Sequence, residues 1–288
     1  MDARRLIQEI QDLPTIPGVV ERINREEKKR SLTARRLADI IATDPALTSK
    51  VLRLANSAYY GLARQVSTLD RAVTVLGFDT LKSLALSVSV FETFAGHGGL
   101  AGLWFHSLGC AVATKNILRC GGSLQGLEEN GFVAGILHDV GKLAIIANLA
   151  DEAAQVRERA DSRGRPHFRV EKELLGFTHQ QVGAMLADRW NFPPEYVAAI
   201  RHHHDASPRL ENADPTTALL ADSVFVGNQL AKALRLGAST DPVITPVDSD
   251  TWKRLGITRS AMPELKDRTL ADFDLIRRSW EFSLEVNP

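Results

Sequence analysis

Two cysteines in 288 residues are too few for a disulfide framework. Cys110 and Cys120 fall in a helical stretch at a spacing that suits no zinc cluster, so this usage points to a reducing, cytoplasmic compartment. Net charge is also missing. Lys+Arg and Asp+Glu both number 35, which argues against a dominant nucleic-acid-binding face. Arg4-Arg5 and Arg35-Arg36 read as ordinary charged faces. No apolar run suggests a transmembrane helix, and the opening MDARRLIQEIQDLP carries charges where a signal peptide needs an apolar stretch. Neither a nucleic acid nor a membrane is therefore expected as a partner. There is no strand-period alternation, no repeat and no low-complexity tract. Gly98-Gly99 and Gly121-Gly122 lack the strand and lysine context of a phosphate loop. What is present is a 44% hydrophobic content, enough for a real core in one large domain or two ordinary ones.

That content is arranged at helical period, which predicts an all-α, multi-helix bundle. Leu6-Ile7-Ile10 has helical spacing before Pro14 and Pro17 interrupt it. Thr33 is expected to cap a helix striped by Leu37, Ile40 and Ile41, and Asp44-Pro45 to start the next. Ser67 and Asp70 suggest a capping box, Gly77 a helix stop, and Asp79 the cap of a long apolar helix. After a break at His97-Gly98-Gly99, helices are expected over 103–119, 127–139, 142–159, 178–190, 194–203 and 215–234. The stretch 241–250 reads as a linker or long surface loop, and a last pair of helices follows Ser260. The expected organisation is an N-terminal helical part over 1–96, a helical core over 97–240, and a C-terminal linker and tail over 241–288.

Within that core lies an ordered set of imidazoles and acids: His106, the pair His138-Asp139, His179, the triplet His202-His203-His204, and Asp222. Imidazole and carboxylate are ordinary transition-metal ligands, and a bundle can collect them from several helices. Adjacent helical residues point about 100 degrees apart, so His138 and Asp139 share a site only where the helix packs closely. Gly135 and Gly141 permit such an approach. Asp222, flanked by Ala221 and the apolar run to Phe225, needs a metal, a hydrogen-bonding partner or exposure. Each residue also has an ordinary structural explanation. A single helical histidine is more often structural, the triplet suits a solvated helix end, and Lys142 suits a helix terminus or a pair with Asp139. His97 and His167, in break regions, are expected at the surface.

The order of these residues around HDVGK at 138–142 resembles the HD metal-dependent phosphohydrolase superfamily. LPTIPGVVERI at 13–23, ADIIATDPALTSKVLRLANSAYYG at 38–61, STLDRAVTVLGFDTLKSLALS at 67–87 and FVAGILHDVGKLAI narrow the resemblance to the HDOD family over roughly residues 10–235. HDOD domains are all-helical regulatory relatives of the HD hydrolases. The resemblance implies a bacterial signal-transduction module acting through contacts with signalling proteins and keeping a metal site. The alternative it implies is a phosphohydrolase or phosphodiesterase acting on a nucleotide or cyclic nucleotide through a metal-activated water. On either reading His106, His138, Asp139 and Asp222 form the basic metal shell, and His179, His203 and His204 the additional one, with His202 as an alternate ligand. Asp139 would bridge and Lys142 would face a phosphoester ligand; these two carry any catalysis. One or two transition-metal ions are implied, and iron or manganese suits so mixed a shell. The loop after His204, DASPRLENAD, lacks the Gly-Tyr-Pro segment of cyclic-dinucleotide phosphodiesterases.

Overall fold

In the computed structural model, residues 17–94, 101–121, 126–205, 214–241 and 243–285 are described. Leu6-Ile7-Ile10, the break at His97-Gly98-Gly99 and most of the loop after His204 lie outside them. Every regular element among the described residues is helical. Five helices come first: α1 (Gly18–Lys28), α2 (Ala34–Ala42), α3 (Pro45–Ala55), α4 (Leu69–Leu76) and α5 (Phe78–Phe94). Their starts follow local chemistry. The Thr33 side chain accepts from the Arg36 amide, and Asp44 accepts from the Leu47 amide with Pro45 in the first turn. Thr68, not Ser67, caps α4, so Asp70 falls within the first turn. Gly77, at φ 89°, ends that helix, and α5 begins at once, leaving Asp79 inside its first turn rather than at a cap.

The next eight helices carry the His/Asp set: α6 (Ala101–Cys120), α7 (Glu128–Leu137), α8 (Val140–Asn148), α9 (Ala150–Arg163), α10 (His167–Leu174), α11 (His179–Arg189), α12 (Pro194–His202) and α13 (Pro215–Ala233). The single helix expected over 142–159 is two, because Leu149 leaves helical geometry at φ −135°, ψ 54°. Helix α10 was not foreseen. It turns His167, expected at the surface, into a buried residue, together with Val170 and Glu171. The stretch Glu128–Asn148 is long and apolar enough to cross a membrane, contrary to the reading of the sequence. However, 83% of its apolar 18-residue window is buried in the bundle, as befits core helices.

Helix α6 is the axis of the bundle, packed against α7, α13 and the last helix, α15 (Met262–Glu285). The short α14 (Ser249–Arg254) precedes α15. Helix α15 is one continuous helix after a 3-10 turn, in place of the expected pair. It buries Leu265, Phe273, Ile276 and Trp280. The Trp280 ring centroid lies 5.2 Å from that of Trp104 and 5.4 Å from that of Phe91, so the C-terminal helix shares one aromatic cluster with α5 and α6. Asp241, at the head of the expected linker, is also buried and pairs with Lys232 at 3.2 Å. The N-terminal helices join the same core: Asn24 donates to the Trp190 carbonyl, and Glu129 takes Lys115 at 2.6 Å and Thr80 at 3.3 Å.

Trp280→Ala would remove a fully packed indole from this cluster. It is expected to cost about 3–5 kcal/mol in urea unfolding, in line with large aromatic truncations elsewhere. A change below about 1 kcal/mol would show that α15 is peripheral to the fold.

Candidate metal centre

Two close backbone crossings assemble the site. Gly135 on α7 lies against Ala111 of α6, where an added Cβ would sit 2.5 Å from the Ala111 Cα. This crossing delivers His138 beside His106. Gly141 on α8 lies against α11, where a Cβ would sit 2.0 Å from the His179 carbonyl oxygen and 2.6 Å from the Gly183 nitrogen. This one sets Asp139 beside His179. Any larger residue at either glycine would wedge the helices apart.

Three of the histidines are then fixed through the second ring nitrogen. His138 Nδ1 donates to the Gly135 carbonyl at 2.6 Å, and His203 Nδ1 to the Ile200 carbonyl at 2.7 Å. A carbonyl can only accept, so each Nδ1 holds a proton, and Nε2 is the atom that carries the lone pair when the ring is neutral. His179 Nδ1 donates to Glu171, 2.7 Å from Oε2, and Oε2 also accepts the His179 amide. A carboxylate behind a histidine is the usual orienting group for a metal ligand. A capping box between Thr178 and Gln181 fixes the turn that carries His179.

The outcome is two buried groups sharing one acid. In the first, His179 Nε2 lies 3.1 Å from both His203 Nε2 and His204 Nε2. In the second, His138 Nε2 and His106 Nε2 lie 3.3 and 3.9 Å from Asp139 Oδ2. Asp139 joins them, because its Oδ1 lies 3.5 Å from His179 Nε2 and 3.4 Å from His203 Nε2. Donors bound at about 2.0–2.2 Å to one ion stand roughly 3.0–3.5 Å apart, so the first group has the spacing of a ligand set. The lone pairs of His179 and His203 also face each other with both Nδ1 protons already committed. A cation between them would relieve that repulsion. His138 Nε2 and Asp139 Oδ1 are buried without a hydrogen-bond partner, as unfilled ligand atoms would be.

The structure does not bring all the expected residues together. Asp222 is fully buried, but its Oδ2 accepts from Arg254 Nε at 2.8 Å, and it belongs to neither group. The physical reason is helical phase. Six residues further along α13, Asn228 faces His106 instead, with its Oδ1 3.1 Å from His106 Nε2. His202 is likewise outside both groups. Lys142 donates to Asp139 Oδ2 at 2.9 Å, so its ammonium is held on the carboxylate. Sequence reasoning missed Glu171, Asn228 and Phe168, whose ring stacks on His204 at 4.8 Å. The signal available for Asn228 is a polar residue inside an apolar helix, and Asp222 carries the same signal.

The HDOD domain profile matches residues 13–206. The chain belongs to the HDOD family. It is similar to an HDOD domain protein from Geobacter sulfurreducens, at 31% identity and TM-score 0.72, covering 98% of this chain and 93% of that one. It is also similar to a candidate phosphohydrolase from Shewanella amazonensis, at 25% identity and TM-score 0.73, covering 95% of this chain and 97% of that one. A protein of Treponema pallidum is 25% identical over 227 residues, which are 76% of this chain and 43% of the relative. The HDOD chain thus spans less than half of that relative's length.

The centre of this HDOD domain is buried. His106, His138, Asp139, His179 and His203 are fully buried, and His204 retains 4% exposure. A cavity of about 380 Å³ approaches it, lined by Lys142, Glu171, His167, Arg157, Leu103 and Ile145 among others, but by none of the six grouped donors. Burial dominates the proton equilibria. It pushes His106 and His203 down to about 3, aided by the charge of His138, and His204 well below its ordinary value, aided by His203 and His179. Neutral imidazole is the form that binds a metal. Burial also opposes the ionisation of Asp139 and His138. Their mutual attraction overcomes it, holding the Asp139 carboxyl well below the usual range and lifting His138 to about 10 in the metal-free protein.

These shifts set the pH dependence of stability. The unfolded chain protonates His106, His203 and His204 near pH 6.5, whereas the fold resists to about 3 or lower. The metal-free protein is therefore expected to lose stability as pH falls below 6.5, by up to about 1.4 kcal/mol per pH unit per histidine. His138 acts in the opposite sense: its contribution is present below pH 6.5 and is lost as pH rises through about 10. Urea midpoints measured in chelator should peak near neutrality. A flat profile from pH 6.5 to 4.5 would contradict the neutral, buried state of the three imidazoles.

Proposed function

We propose that this HDOD chain is a signal-transduction module that works through contacts with signalling proteins and holds a buried metal as part of its structure. The observation that carries the reading is the sealing of the centre. Its donors are buried, Phe168 covers His204, and the neighbouring cavity ends at Lys142 and Glu171. A hydrolase needs substrate and water at the metal, and this arrangement offers a phosphoester no direct approach from either described cavity. Lys142, the residue expected to face a phosphate, is instead committed to Asp139. Three imidazoles with a carboxylate suit iron or manganese better than magnesium.

A second reading has its own support. The donor set resembles that of a metal-dependent phosphohydrolase, and the Shewanella amazonensis protein of matching fold is described as a candidate member of that class. A bound metal would then supply Lewis acidity to a phosphoester or water. Asp139 would orient the metal's ligands, and Lys142 would have to leave Asp139 before it could offset charge on a phosphoryl oxygen.

Elemental analysis of the full chain, purified without chelator, tests the shared premise. Stoichiometric iron or manganese is expected, falling at least tenfold in His203→Ala with helicity retained. A panel of phosphodiesters and nucleotides with added iron or manganese then separates the readings. The module predicts no turnover above that of the free metal. Turnover that disappears in Asp139→Asn would establish the hydrolase.

A further inference from the structure

The two donor groups are not equivalent, and the asymmetry lies in Asp139. Its Oδ1 turns toward His179 and His203 and has no hydrogen-bond partner. Its Oδ2 turns toward His106 and His138 and already accepts from Lys142 at 2.9 Å. The Lys142 side chain is 4% exposed, so this ammonium is a fixed part of the interior. Two further features weaken the second group as a cation site. Asn228, a neutral amide, is the side chain that meets His106, and the acid oxygen that faces His106 and His138 is the one that Lys142 already occupies. Asp222, buried on the same helix as Asn228, is held by Arg254 and belongs to neither group.

We infer that the centre is built for a single transition-metal ion, held by His179, His203, His204 and Asp139 Oδ1, and that the Lys142 ammonium occupies the second cation's place on Asp139 Oδ2. The inference rests on the metal-holding reading above and goes beyond it in fixing the number of ions and the residues that set it. A dication between His106 and His138 would sit beside a buried ammonium with no carboxylate of its own, and like charges at such range in a dry interior repel strongly. The three-histidine group carries no such penalty. Its one acid is shared, but the oxygen facing it is free. Glu171, behind His179, adds a second negative charge to this side alone. The His106–His138 group is then a packing element that keeps Asp139 oriented.

Manganese(II) reconstitution of the metal-stripped full chain, followed by desalting and elemental analysis, tests this without any activity. One manganese per chain is expected, with the six-line spin-resonance signal of an isolated ion. His203→Ala should lose the metal at least tenfold, whereas His106→Ala should keep one per chain. The double variant Lys142→Met/Asn228→Asp removes the ammonium and adds a carboxylate beside His106, and should bind two, with an exchange-coupled signal. Two ions in the unaltered chain would overturn the inference and leave the metal-holding reading intact. So would loss of the ion in His106→Ala with retention in His203→Ala, or a folded double variant that still binds one. No bound metal in the unaltered chain would overturn both. Circular dichroism of each variant verifies folding, and the stoichiometry of the unaltered chain decides the count even where a variant does not fold.

Discussion

A single buried carboxylate organises this protein. Asp139 has no access to solvent, yet it is held ionised, and a charge in that position must be answered on every side. Lys142 answers it on one oxygen, with His138 beside the same atom, and the imidazoles of His179 and His203 surround the other. Three helices, α8, α11 and α12, and the turn between α7 and α8 must converge to supply those partners. The glycines at the crossings, the committed Nδ1 protons and the carboxylate of Glu171 all serve to keep that convergence in register.

The same constraint bears on function. Drawing six donors into a buried interior favours tight, selective retention of a cation, because the neutral imidazoles of His203 and His204 face little competition from protons. It works against turnover, which needs an open coordination position and a route for substrate. The HDOD chain therefore has the ligands of a hydrolase in surroundings that suit a structural ion. Ligand identity and ligand access are separate properties, and a resemblance built on ligand identity speaks only to the first.

Much of the architecture was legible in the residues. Helical periodicity marked most of the elements, and Thr33, Asp44 and Gly77 marked their ends, because caps and stops depend on neighbours within a few positions. Helix α10 escaped notice because its charged residues mask a short apolar stripe, and with it went Glu171 and the burial of His167. The run 142–159 looked continuous because nothing in its composition marks the break at Leu149. The length of α15 and the aromatic cluster at Trp280 depend on partners far away in the chain, so local patterns said little about them.

By itself the sequence determined the helical class, the order of the His/Asp set and the two glycines able to admit close crossings, since each depends on residue type and short-range spacing. Only the tertiary structure decided which donors meet. Asp222 and Asn228 are both polar residues on one apolar helix, and no local signal distinguishes them. Helical phase turns one toward Arg254 and the other toward His106. Nor could spacing show that Lys142 would be held on Asp139, because whether that lysine meets a ligand or its neighbouring acid depends on how much space the packed helices leave in front of it.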